Sequence, residues 1–339
     1  MSKCGIFAAA CFSLFLAFGC RRTEGPVVVV YTALDRNFSQ PILDKFQQNT
    51  GIRVLAKYDT EATKTVGLVN AIRSEKARPR CDVFWNNEIV NTIRLKDEGL
   101  LAQFRPEAAK SFPEKFRDAD GYWCGFAARA RVLLVNTNLV APGDMPDSVK
   151  ALGDPRWKGR AGLAKPLFGT TATHAACLFA MMGAKEGEAF FKAIKDNDTK
   201  VQSGNKTVAT SVSAGILAFG LTDTDDAIEE VEAGKPVIII YPDSRPDQQG
   251  VLFIPNTLSL VSNAPHAGEG RKLIEYLLSP EVEAALAKCP SAQIPLNPAV
   301  VEKARVKTPA EVKAMAVDFS GAAKHFEWAA TCMEKIFLK

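Results

Sequence analysis

The chain has 339 residues, 47% of them hydrophobic and 24% charged, enough apolar content for one large core or two smaller ones, so a two-lobed globular protein is expected. Its 42 basic residues nearly balance 38 acidic ones, for a formal charge of +4, and no basic stripe is interleaved with aromatics. This excludes a general nucleic-acid binder and names no other partner by charge alone.

The chain starts with "MSKCGIFAAACFSLFLAFGC", in which one lysine precedes an apolar run from Ile6 to Phe18. That run is too short to span a bilayer and is followed by the polar "RRTEGP", so residues 1–20 are expected to be an export signal. "LAFGC" resembles a bacterial lipobox, which implies lipidation of Cys20 and a membrane anchor; the alternative is an ordinary secretory signal cut near Gly19. Either way the mature protein works outside the cytoplasm, in the periplasm or at the cell surface. Cys4, Cys11 and Cys20 belong to the signal, leaving Cys81, Cys124, Cys177, Cys289 and Cys332. An exported protein can oxidise some of these to disulfides, but their number is odd and their wide spacing fits no CxxC metal pattern, so one thiol is expected to stay free and buried.

After the linker, "VVVVYTALD" is an apolar run suited to a parallel strand covered on both faces. "NFSQPILDKFQQNTGI" puts Phe38, Ile42 and Phe46 on one helical face and stops at Gly51, and "RVLAKY" is the next strand. "LVNAIRSEKA" reads as helix, "CDVFW" as strand and "EIVNTIRLKDEGL" as helix closed by Gly99. "GYWCGFAARARVLLVNTNLV" is a long strand-like run able to carry the chain from one compact unit into another. "GRAGLAKPLFGTTATHAACLFAMMG" reads strand, glycine turn, helix; "KVQSGNKTVATSVSAGI" reads turn, helix; "FGLTDTDDAIEEVEAGKPVIIIYP" reads strand, acidic turn, helix, strand. "GVLFIPNTLSLV" looks like a return strand, with "AGEGRKLIEYLLS" and "PEVEAALAKC" as helices after it. The alternation predicts α/β layers with parallel sheets, whose ligands sit where strands run out into helices.

Together these segments resemble the periplasmic substrate-binding proteins of bacterial ABC importers, in the ferric-iron-type extracellular solute-binding group. The likeness covers nearly the whole mature chain and is carried by "VVVVYTALD", "FQQNTGIRV", "CDVFWNNE", "GYWCGFAARARVLLVNTN", "LGDPRWKGRAGLAKP", "SGNKTVATSVSAG" and "LLSPEVEAALA" in that order. It implies the type II periplasmic-binding-protein fold, with a ligand cleft between two lobes joined by hinge strands, and a monomer that closes on a solute and delivers it to a membrane permease. The expected division is 26–128 plus 250–298 for lobe 1, 129–249 for lobe 2, and C-terminal helices over 299–339 packing on the lobes.

The family's ferric site takes two adjacent tyrosines after a late strand, a His or Tyr after the first strand, and often a carboxylate after the "DVFW" strand. Here "TDTDDA" occupies the tyrosine position, and the five tyrosines, at 31, 58, 122, 241 and 276, are never adjacent. Asp35 stands in the first loop, and Asn86 and Asn87 stand where the carboxylate is expected, with Glu88 just beyond.

The remaining loops offer an anion seat. Gly169, Thr170 and Thr171 precede a helical run, and Ser203, Asn205, Lys206 and Thr207 repeat the arrangement; simple helix capping is the equal alternative for both. Of Arg129 and Arg131, one is expected to reach the cleft as a bidentate clamp and the other to lie on the opposite face. Asp226, Glu229 and Glu230 fit a helix start favoured by the helix dipole, whereas Asp223 and Asp225, nearer the strand end, are expected to contact ligand and are the metal ligands if there is one. "DTDDAIEEVEAG" lacks the sixth-position glycine of an EF-hand.

No GxSxG, HExxH or P-loop is present, and His174, His266 and His325 have no metal-triad spacing; His174 is expected to be a packed or capping residue. The expectation is therefore a non-enzymatic binding protein for an anionic organic solute such as a sugar phosphate or phosphonate, needing no cofactor. Ferric iron held with a synergistic anion is the alternative ligand. A secreted hydrolase using two cleft carboxylates is the rival from another class.

Overall fold

Continuous apolar sequence at Val27–Thr32 makes β1 a strand covered on both faces, and the computed structural model, which describes residues 25–59 and 65–338, places it at the centre of a sheet. The export signal and Cys20 lie outside the described residues. Helix α1 (Arg36–Thr50) buries Phe38, Ile42 and Phe46 as their spacing requires, and ends at Gly51, whose φ of +70° suits glycine. Strand β2 (Arg53–Tyr58), helix α2 (Val66–Ser74), strand β3 (Val83–Asn86) and helix α3 (Val90–Asp97) follow, with β2 and β3 flanking β1 in parallel. A short β4 (Leu101–Ala102) then leads to β5 (Cys124–Asn136), thirteen residues long and buried throughout.

Strand β5 is shared by two sheets. Beyond it the chain forms β6 (Ala161–Ala164), α4 (Gly169–Met182), α5 (Ala184–Asp196), β7 (Lys200–Gln202), α6 (Asn205–Ser213), β8 (Phe219–Asp223), α7 (Thr224–Glu232), β9 (Val237–Ile240) and β10 (Phe253–Val261). Residues 124–130 of β5 pair with β10 in the first sheet, and residues 131–136 pair with β8 and β9 in the second. The strand order β2-β1-β3-β10-β5-β8-β6-β7 is therefore continuous. The sheets are mixed rather than purely parallel, because β5 and β10 run antiparallel to their neighbours as they cross.

The chain closes with α8 (Ala267–Leu277), α9 (Pro280–Lys288) and, among the described residues beyond 298, a single α-helix, α10 (Phe319–Phe337), where several were expected. Residues 298–318 contain Pro309 and short polar runs, and α10 alone has the apolar period needed to pack on α3, α4 and α5. Helix α5 was not foreseen: its glycine and lysines obscure a face on which only Gly187, Phe191 and Ile194 are buried. All five mature cysteines are free, Cys81, Cys124, Cys177 and Cys332 buried and Cys289 half-buried, so no pair forms among the described residues.

The crossing point is held by a buried carboxylate. Ala127 sits at φ +42° in β5, opposite a register shift between Ile254 and Asn256 in β10. Fully buried Glu283 of α9 accepts the N–H groups of Ala127 at 2.6 Å, Leu296 at 3.0 Å and Asn297 at 2.7 Å. Burial pushes its carboxyl up and these N–H bonds oppose the shift. Glu283→Ala leaves three buried donors without an acceptor and should cost about 3 kcal/mol or more, read as a lower urea midpoint.

His174, in the middle of α4, is a packed residue: it is buried, and neither ring nitrogen has a partner among the described residues. Burial, then the Arg131 guanidinium, pushes its imidazole down to about 3. Unfolded, it titrates near ~6.5, so below that pH the unfolded chain binds a proton the native protein does not. Its contribution is complete above ~6.5 and is lost as pH falls toward the native value. Between pH 7.5 and 5.0 the wild type should lose about 2 kcal/mol more stability than His174→Leu, measured by urea unfolding at both pH values.

Candidate functional site

Four helices begin at one cleft. The N-cap positions are held by Asp35 for α1, Phe168 for α4, Gly204 for α6 and Asp223 for α7, and none of these makes a side-chain cap bond. The cleft is lined by residues from all four helix starts, together with Asn87, Arg129 and Lys165. Helix N-termini carry partial positive charge and unsatisfied N–H groups.

Phe168 and Gly204 have no side-chain oxygen, so neither caps its helix. Gly169 opens α4 at φ +53°, a backbone angle that glycine tolerates best. Thr170 and Thr171, buried just behind it, turn their hydroxyls to Arg131 at 3.2 Å each instead of capping the helix. Asn205 likewise serves Arg131, at 3.0 Å, and Asp223, at 2.9 Å.

Arg129 and Arg131 both face this site, against the expectation that they would lie on opposite faces. Residues two apart on a strand share a face, so the pair could not be separated by alternation. Arg131 is fully buried and donates to Asp223 at 2.7 Å. The other oxygen of Asp223 accepts from Thr170 at 2.5 Å and from Asn205, so this carboxylate is committed to the network around Arg131. Asp223 caps α7 through its backbone only. Arg129, 1% exposed, donates to Asp225 at 2.9 Å, to the carbonyl of Asn87 and to Asn256 at 3.2 Å.

Asp225 and Asp226 occupy the first turn of α7 and line the cleft. One oxygen from each of Asp223, Asp225 and Asp226 lies within 4.8 Å of the others, a grouping a hard cation can use, although Asp223 already accepts from three donors. Asp35 lines the opposite wall. Asn87 stands beside it, its amide oxygen taken by the Thr65 hydroxyl at 2.8 Å, so that the amide nitrogen is what it offers the cleft.

Three of the anticipated residues lie elsewhere. Asn86 is fully buried behind the cleft, bonded to Glu88 at 2.8 Å and Thr92 at 3.1 Å, because the outward alternation of β3 ends one residue later. Lys206 turns to Glu229 at 2.6 Å and Glu230 at 3.2 Å; burial works against its charge, but these carboxylates outweigh it and hold the ammonium above the usual lysine range. Thr207 pairs with Ser203 at 2.9 Å on the exposed side of α6. Lys165, Leu34 and Phe168 line the cleft and were not anticipated; Lys165 could have been found as the residue immediately after β6.

Residues 91–320, more than half of the chain, match the family model described as bacterial extracellular solute-binding protein. The chain is 26% identical over 300 residues to iron uptake protein A1 of Synechocystis, covering 84% of this chain and 81% of that one. It is 25% identical over 258 residues to a Salmonella paratyphi A periplasmic protein named for 2-aminoethylphosphonate binding, covering 75% and 73% respectively. Iron-bound HitA from Pseudomonas aeruginosa shares the two-lobed fold, with a TM-score of 0.83 at 23% identity over 92% of this chain and 99% of that one. The protein belongs to the bacterial extracellular solute-binding family, periplasmic binding components of ABC importers that transport rather than catalyse.

Proposed function

We propose that this protein captures a small organic anion bearing a phosphonate or phosphate at one end and an ammonium or hydroxyl group at the other, and delivers it to an ABC permease. The observation that carries this reading is that the uncapped starts of α4 and α6, Lys165 and Arg129 share one cleft with Asp35, Asp225 and Asp226. Backbone N–H groups at helix starts suit a phosphonate, and a lysine or arginine adds charge-assisted donors. Carboxylates opposite suit the cationic or hydroxyl end. The relative named for 2-aminoethylphosphonate supports a zwitterion of this kind. In this reading Gly169, Thr170, Thr171 and Asn205 hold the anion, Asp35, Asp225 and Asp226 hold the other end, and Asp223 acts through Arg131.

The lobes are taken as 26–128 plus 250–298 and 129–249, with 299–339 packed against them, and closure as a hinge at β5 and β10. The division of β5 between two sheets near residue 130 supports this. Cys20 is proposed as the lipid anchor of a monomer that meets its permease at the membrane.

A second reading is ferric iron with a synergistic anion, favoured by the grouped oxygens of Asp223, Asp225 and Asp226 and by the iron-uptake relative. Carboxylates are hard donors suited to Fe³⁺. The commitment of Asp223 to Arg131 weighs against it.

Thermal shift of the purified mature protein separates the two. A ligand present at ~100 times its Kd adds about 2.7 kcal/mol, a rise of roughly 4 °C for a protein of this size. The organic-anion reading expects that rise with 2-aminoethylphosphonate or a hexose phosphate; a rise only with Fe³⁺ plus citrate overturns it. Asp226→Asn should weaken 2-aminoethylphosphonate by about 10- to 100-fold while changing inorganic phosphate little, and Lys165→Met should weaken both. Isothermal titration reads these differences, and equal losses for both probes in Asp226→Asn would remove the assignment of the acidic wall to the cationic end.

A further inference from the structure

Glu88 follows Asn87 in the loop between β3 and α3, yet its side chain turns away from the cleft and is completely buried. Most of its partners are local. It accepts the N–H of Val90 at 2.6 Å and of Asn91 at 3.1 Å, at the start of α3, and the amide of Asn86 at 2.8 Å. These bonds place a negative charge on the helix N-terminus, where it is favoured. They would be complete as a local cap without any contact to another helix.

One further partner comes from the other wall. Thr173 of α4, itself fully buried, donates its hydroxyl to the same carboxylate at 2.7 Å. Thr173 is two residues beyond Thr171 and four beyond Gly169, so it lies in the turn that follows the uncapped helix start. On the other side, Glu88 adjoins Asn87, whose amide faces the cleft and whose carbonyl accepts from Arg129. The Glu88 carbonyl also accepts from Thr257 of β10 at 3.2 Å, which ties the loop to the strand that pairs with both β3 and β5. A charged acceptor makes the threonine bond stronger than a neutral pair, and a buried hydroxyl deprived of it has no water to turn to.

We propose that Glu88 is a positioning residue that joins the two walls of the cleft, setting the start of α4 at its working distance from Asn87 and Arg129 through Thr173. Glu88 does not touch the solute; it fixes the spacing between groups that do. The inference goes beyond the proposed ligand and holds for an organic anion or for iron with an anion, since either must be gripped from both walls.

The test compares wild type, Thr173→Ser, Thr173→Val and Glu88→Gln. Thr173→Val matches the shape of threonine and removes only the hydroxyl, whereas Thr173→Ser keeps it. In the ligand-free protein, amide hydrogen exchange at 172–174, where the first hydrogen-bonded amide of α4 is that of Ala172, and at 90–91 should accelerate about tenfold in Thr173→Val and stay at the wild-type rate in Thr173→Ser. Affinity for 2-aminoethylphosphonate and for ferric citrate, each measured separately, should fall at least tenfold in Thr173→Val for whichever the wild type binds, with a faster off-rate and recovery in Thr173→Ser. Glu88→Gln, which retains an acceptor for α3 but loses the charge, should show the same direction. Unchanged exchange in Thr173→Val overturns the inference whatever the ligand proves to be. So does an affinity loss in Thr173→Ser equal to that in Thr173→Val, which would mark a packing effect. Failure of 2-aminoethylphosphonate to bind the wild type bears on the proposed ligand alone.

Discussion

An arginine cannot shed its charge, and this fold buries two of them, Arg129 and Arg131, two residues apart on β5. Each must be given anions and acceptors or the fold does not form. Asp223, Thr170, Thr171 and Asn205 gather around Arg131, and Asp225, Asn256 and the Asn87 carbonyl around Arg129. These partners come from the loop after β3 and from α4, α6, β8, α7 and β10, so meeting the needs of two side chains draws six segments to one point. The cleft is what remains between them. In this sense the site is less a hole in a finished scaffold than the outer edge of an internal charge network.

The same network explains why aspartates can stand where the family places ligand tyrosines. A tyrosine pair offers a cation two phenolates and asks little of its surroundings. Aspartates in the first turn of a helix need positive charge nearby, and the α7 dipole with Arg129 supplies it. The price is that Asp223 is spoken for, bonded to Arg131, Thr170 and Asn205.

Much of the architecture was legible from the residues. Continuous apolar runs marked β1, β5 and β10, and the length of the run that became β5 marked a segment able to carry the chain from one compact unit into another; that one strand serves both sheets was not legible. Strand-to-helix loops correctly flagged Asp35, Asn87, Gly169, Thr170, Thr171, Asn205 and Asp225 as neighbours of one space. Polarity did not reveal direction: Asn86, Lys206 and Thr207 share loops with cleft residues but point into the interior or along exposed helix faces, which depends on where a strand stops alternating and which turn of a helix follows. Glu88 is the sharpest case, because an acidic residue beside a ligand loop reads as a ligand until its partners are seen. Lys165 was hidden for the opposite reason, since a lone lysine between a strand and a proline resembles ordinary surface.

The five thiols carry a consequence for how the protein is made. Each sits in its own surroundings, in the loop before β3, in β5, in α4, just after α9 and in α10, and none is joined to another. A chain that reaches an oxidising compartment with reduced, mostly sequestered sulfurs relies on collapse of its cores to hide them before an oxidant arrives. Once folded, the burial of four of the five keeps those sulfurs out of reach of one another and of an oxidant.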